Sequence, residues 1–140
     1  MEQDALPWSK KFALGFTTID AHHKELVTMI NDLNRAMKNG QSSNVVIEII
    51  GRLNKYVVKH FQYEERHFDE FAFVESVSHK KHHHEFKEKV VELSGKYAEM
   101  RKLGECVDKE LITFLVNWLM SHILEEDKKY VECFKQHNLT

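Results

Sequence analysis

Seven side chains able to ligate a metal occupy positions where an amphipathic helix would carry leucine: His23, His60, Glu64, His79, His83, His122 and Asp127. They fall in four segments, Ile19-Asp20-x-x-His23, His60-Phe61-x-x-Glu64-Glu65, His79-x-x-x-His83 and Trp118-Leu119-x-x-His122-x-x-x-x-Asp127. His60 and Glu64, like His79 and His83, stand four apart and so share a helix face. One such pair alone is weak grounds, because solvated pairs at this spacing are common. Their conjunction carries the weight. Each segment sets an imidazole or carboxylate on a seam that otherwise reads Leu, Ile, Val and Phe. A buried carboxylate without a partner costs several kcal/mol, and no Lys or Arg lies on those seams to neutralise Glu64 and Asp127. Metal cations would.

The donor set discriminates among metals. Zinc takes four ligands, often thiolates, so seven candidates without cysteine overfill one tetrahedral site. Calcium and magnesium prefer all-oxygen shells. Histidine with bridging carboxylate suits iron or manganese. Shared between two octahedral ions, two bridging carboxylates, five histidines and a bridging hydroxide leave one position open. Walled by apolar side chains, that position would take one small diatomic ligand.

Four helices are needed to place these groups. The steps Ile19, His23, Leu26, Ile30, Leu33, Met37 predict a first helix, capped by Thr17 or Thr18 and stopped at Asn39-Gly40. Ser42-Ser43 opens a second, running through Val46, Ile50, Leu53, Val57, His60 and Glu64 to about Phe71. After a short loop over Ala72 to Ser76, the third carries His79, His83, Phe86, Val90, Leu93, Tyr97 and Met100 and ends at Gly104. The fourth begins near Cys106 and shows Leu111, Phe114, Trp118, His122, Asp127, Tyr130 and Phe134. Long helices with short connections give an all-α fold, an antiparallel up-down four-helix bundle. His122 and Asp127 stand five positions apart, so on regular α-helix they diverge by about 140°. A π-type turn is therefore expected between Trp118 and Tyr130. Residues 1 to 17 lack periodicity, and Trp8, Phe12 and Phe16 around Pro7 and Gly15 read as an N-terminal arm anchored by aromatics. The bundle takes about 18 to 136, within one domain spanning 1 to 140.

Composition narrows the class. A chain of 140 residues that is 42% hydrophobic and 30% charged can bury a core without disulfides. A net charge of -2 offers no electrostatic footprint for nucleic acid. The longest apolar run, Leu111 to Met120, contains Thr113 and Asn117 and falls short of a membrane span. Met1-Glu2-Gln3-Asp4 is unlike the start of a signal peptide, so a cytoplasmic location is expected. Cys106 and Cys133 read as free thiols, and no protein partner is identified.

Together with Phe86 after His83 and Ile123 after His122, the four motifs resemble those of the hemerythrin family, specifically the single-domain bacterial hemerythrins, from Trp8 to about Phe134. The resemblance implies reversible O2 binding, for storage, delivery or sensing, at a non-heme centre of two Fe ions with carboxylate and hydroxo or oxo bridges. It implies that His79, His83 and His122 saturate one iron while His23 and His60 hold the other, whose sixth position stays open. Glu64 and Asp127 would bridge. No protein acid or base is then required, so the chain is read as an oxygen-binding protein without catalytic residues, rather than as an enzyme.

Two other functions compete. A di-iron peroxidase or small-molecule oxidase of the ferritin-like kind uses about four carboxylates and two Glu-x-x-His motifs; this chain offers one, Glu64-x-x-His67. A zinc or metal-free interaction module leaves the interior carboxylates unexplained. The chain also departs from the family pattern. Arg66-His67-Phe68 follows the paired glutamates in place of a Leu-Met pair, and Phe73-Val74 replaces a Tyr-Pro. His67 reads as a seam-edge histidine, hydrogen-bonded or reaching water, with a polar group near the pocket as the sharper alternative. His22 and Glu65 are expected on the surface, His82 and His84 in solvent, and His137 in the tail.

Overall fold

Residues 8–39, 42–102 and 108–140 are described by the structure, a computed structural model. Among them there is no strand, and four long helices account for the bundle. Helix α1 spans Thr17–Lys38. Helix α2 joins an α segment Ser42–Tyr56, a π-helical segment Val57–Phe61 and a further α segment Gln62–Glu70. Helix α3 spans Ser76–Lys102. Helix α4 runs through Asp108–Trp118, a π-helical Leu119–Glu126, a 3-10 turn Asp127–Tyr130 and a last α segment Val131–Gln136. The expected stops at Gly40 and Gly104, the start near Cys106 and the side chain of Met100 lie outside the described residues.

Two apolar clusters organise the bundle. The larger includes Leu26, Ile30, Leu53, Phe61, Phe86 and Ile123. The smaller includes Phe16, Ile19, Phe68, Phe73, Tyr130 and Phe134. Along α1 the chain passes from Ile19 in the small cluster, through His23, to Leu26 in the large one. Along α2 it passes back, from Phe61 through Glu64 to Phe68. Phe73 precedes α3, which then climbs past His79 and His83 to Phe86, and α4 returns from Ile123 through Asp127 to Tyr130. The alternation of direction is the up-down topology. It also leaves every metal-ligating candidate in one polar layer between two dry cores. Each fully buried large apolar side chain contributes roughly 1.5–3 kcal/mol, which offsets the cost of burying that layer.

Helix faces are wider than single seams. Besides the expected residues, α1 buries His22, Val27, Met29 and Ala36, and α2 buries Ile49 and Tyr56. On α4 the core face is Leu111, Leu115 and Leu119, with Phe114 and Trp118 only partly buried at its flank. A bundle helix packed between two neighbours buries a stripe of roughly 100° rather than a narrow line.

The arm is fastened by a residue of the first motif. Neither Thr17 nor Thr18 caps α1: its N-cap is Phe16, which has no side-chain cap bond. Asp20 instead turns back, and its carboxylate accepts the Leu14 N–H at 2.7 Å and the Gly15 N–H at 3.2 Å. Gly15 sits at φ +93°, a conformation that L side chains rarely adopt. The turn sends Phe12 into the large core and Phe16 into the small one. At the far end of α2, Phe71 N–H bonds the His67 carbonyl and Phe73 N–H bonds the Phe68 carbonyl, with Ala72 left-handed at φ 54°. This is a Schellman closure, completed by the Phe68–Phe73 ring contact at 5.1 Å. No helix among the described residues is long and apolar enough to cross a membrane.

Candidate metal centre

All seven candidate ligands meet in the polar layer. His23, Glu64 and Asp127 have no exposed surface, and the other four histidines have at most 3%. Asp127 Oδ1 lies 3.0 Å from Nε2 of both His79 and His122, while its Oδ2 lies 3.1 Å from His23 Nε2. Glu64 Oε1 lies 3.0 Å from His60 Nε2 and 3.1 Å from His83 Nε2. Each carboxylate therefore reaches histidines on both sides of the layer. Ligand atoms of Glu64, His79, His83 and His122 fall within 4.8 Å of one another, as do those of His23, His60, Glu64 and Asp127.

These contacts are close without being hydrogen bonds. Nε2 of His23, His79, His83 and His122 and all four oxygens of Glu64 and Asp127 are buried and have no hydrogen-bond partner. Leaving a buried polar atom unsatisfied costs about 1–3 kcal/mol, so this many in one layer requires a common partner. Nitrogen and oxygen donors that crowd together without bonding each other are arranged for cations set between them. The donor set fits a metal pair.

Local helix geometry produces the arrangement. The π-helical stretch Leu119–Glu126 lies where a wide turn was expected and lets His122 and Asp127 face the same point. A second wide turn, Val57–Phe61, carries His60. Nothing in the spacing called for it, because His60 and Glu64 share a face on regular helix. Aromatic rings back the candidate ligands: Phe61 stacks on His83 at 3.8 Å and Trp118 on His122 at 3.9 Å.

Two residues expected on the surface are partners of candidate ligands instead. His22 is only 6% exposed, and its Nδ1 lies 2.9 Å from His60 Nδ1. His83 Nδ1 donates to Glu65 Oε2 at 2.8 Å. Each stands next to a motif residue in sequence, and the wide buried stripe brings it inside the helix–helix contact. The signal was available for His22, which lies three residues after the core residue Ile19. His67 does not reach the centre. It is 7% exposed, its Nδ1 donates to the Tyr63 carbonyl at 2.7 Å, and its ring packs on Tyr63, Phe71 and Phe134. The hydrogen-bonded seam-edge reading holds. His82 is partly buried with its ring 5.8 Å from that of His122, whereas His84 and His137 are exposed.

Burial and the neighbouring charges set the proton affinities of the layer. Burial pushes the Glu64 and Asp127 carboxyls up, but their histidine neighbours hold both well below the ordinary carboxylate range. Burial opposes charging His83, yet Glu64 and Glu65 raise it to about 9. His23 is raised by Asp127 against the same desolvation. His122 moves the other way, lowered chiefly by burial. Burial and the two carboxylates push the Tyr56 and Tyr130 hydroxyls well above their usual range, so both remain protonated.

An antiparallel helical bundle with a buried layer of histidines and shared carboxylates defines a metal-binding protein of the helical-bundle class. The family description "Hemerythrin HHE cation binding domain" matches residues 14–134. The chain belongs to the hemerythrin family. It is similar to a bacteriohemerythrin of Stenotrophomonas maltophilia (strain R551-3), 30% identical over 132 residues, covering 94% of this chain and 83% of that one. A bacteriohemerythrin of Pseudomonas aeruginosa (strain UCBPP-PA14) is 33% identical over 130 residues, covering 93% and 82%. A hemerythrin-like protein of Naegleria fowleri is 30% identical over 123 residues, covering 88% of each chain.

Proposed function

We propose that the protein binds O2 reversibly at a pair of iron ions held by His23, His60, Glu64, His79, His83, His122 and Asp127. The observation that carries this reading is the unequal division of imidazoles. Three of them, His79, His83 and His122, gather with Glu64, but only two, His23 and His60, gather with Glu64 and Asp127. With both carboxylates shared, the second position has one protein ligand fewer and so a place for a small molecule. Iron, when bound, supplies the electrons for O2 capture.

The chain's own residues hold, enclose and withhold. Glu64 and Asp127 would hold both positions, since each carboxylate lies close to histidines of both groups. Leu26, Phe61 and Ile123 on one side, with Ile19 and Phe68 on the other, exclude water from the layer. Tyr56 and Tyr130, kept protonated, offer no base near neutral pH. The single Glu64-x-x-His67 pattern supplies no further ligand, since His67 turns to the Tyr63 carbonyl. These features support a carrier over a ferritin-like enzyme.

Metal analysis with visible spectra recorded under argon, then air, then vacuum tests the reading. The expected result is two irons per chain and a colour change that vacuum reverses. A folded sample holding no stoichiometric transition metal after anaerobic ferrous reconstitution overturns it. Rapid irreversible oxidation with peroxide turnover would assign an enzyme instead.

A further inference from the structure

The two halves of the centre are backed by chemically different outer partners. His83 Nδ1 donates to the carboxylate of Glu65, whereas His60 Nδ1 meets the imidazole of His22. A ligating histidine takes its orientation, its tautomer and part of its basicity from the group on its other nitrogen. A carboxylate there strengthens the imidazole as a donor. A neutral acceptor orients the ring without lending charge. For His60 Nε2 to ligate, its proton must sit on Nδ1, which makes His22 Nδ1 the acceptor and puts the His22 proton on Nε2.

The His22 ring is held for this task. It stands edge-on to His60 at 5.0 Å and to Tyr63 at 5.7 Å. Glu25, an acid one turn further along α1, is paired with Lys59 at 3.1 Å rather than with His60.

We infer that His22 is a positioning residue that locks His60 while withholding the anionic support Glu65 gives His83, making the His23/His60 half the weaker of the two metal positions. The inference rests on the two-metal reading above. Anaerobic titration of the metal-stripped full chain with Co(II), followed by visible absorption and calorimetry, tests it. The parent should take two equivalents in two resolved steps. His22→Leu should weaken the second step about 10- to 100-fold and leave the first unchanged. His22→Gln, whose side-chain oxygen can accept from His60, should restore the second step to within a few-fold of the parent. His22→Glu should tighten that step and narrow the gap.

Two equal steps in the parent, or a His22→Leu protein with both steps unmoved, overturn the inference while leaving a two-metal centre intact. A folded parent that takes up neither Co(II) nor, anaerobically, ferrous iron overturns both readings. Should His22→Leu fail to fold, the remaining pair decides: identical second steps in His22→Gln and His22→Glu sink the proposal.

Discussion

His83 links the metal-free centre to pH. Its folded value of about 9 lies above the ordinary 6.5. Its contribution to stability is therefore complete below pH 6.5 and is lost as pH rises through about 9. His23, raised by Asp127, acts in the same sense. His22 and His122, both lowered, are charged only in the unfolded chain near pH 6.5, so they offset part of the fall at the lower edge of the window and add nothing once the unfolded histidines are neutral. Urea midpoints of the stripped protein should accordingly fall between pH 6.5 and 9. Over the same range metal uptake should tighten, because a proton must leave His83 for it to ligate. A midpoint that rises with pH would contradict this. Substitution separates ligands from neighbours: Asp127→Asn should lower metal stoichiometry below two per chain, while His67→Leu should leave it unchanged, as read by metal analysis. His67 lies one turn after Glu64 on the same helix but makes its bond to the Tyr63 carbonyl.

At the scale of elements, two backbone devices set where helices begin and end. Ala72 holds a left-handed conformation in the closure after α2, a position usually given to glycine. The conformational penalty for alanine exceeds the extra freedom glycine adds to the unfolded chain by a small margin. Ala72→Gly should therefore stabilise by about 0.5–1 kcal/mol in urea unfolding. The arm depends on the Asp20 carboxylate and its two backbone donors. Asp20→Ala should cost about 1–2 kcal/mol and speed proteolysis near Gly15. An arm as protease-resistant as the parent's would show that Phe12 and Phe16 suffice to hold it.

For the whole molecule, the polar layer makes folding and metal binding one problem. Two dry cores enclose two carboxylates and five imidazoles, most of whose facing atoms have no partner. An ion bound only by the folded chain stabilises by about 2.7 kcal/mol at a hundredfold excess over its dissociation constant. Stripping metal with chelator should lower the melting temperature by several degrees, and anaerobic ferrous iron should restore it. Equal melting temperatures for stripped and loaded protein would mean that the layer carries its buried charges without cations.

Periodicity determined four amphipathic helices, because apolar residues three and four apart can be buried only on one helix face, and the short connections between them set alternating directions. The same spacing singled out the seven donors, since ionisable groups on that face stand out from the leucines around them. The five-position step from His122 to Asp127 even located a wide turn, as regular helix would have driven the two apart. Tertiary structure decided what surrounds the donors. That His22 backs His60, that Glu65 backs His83 and that Asp20 ties down the arm depend on how neighbouring helices and the arm approach one another. The second wide turn at Val57–Phe61 was also invisible, for spacing within one helix reports only whether its own residues share a face. Partners lying 38 residues apart, as His22 and His60 do, are chosen by packing between helices.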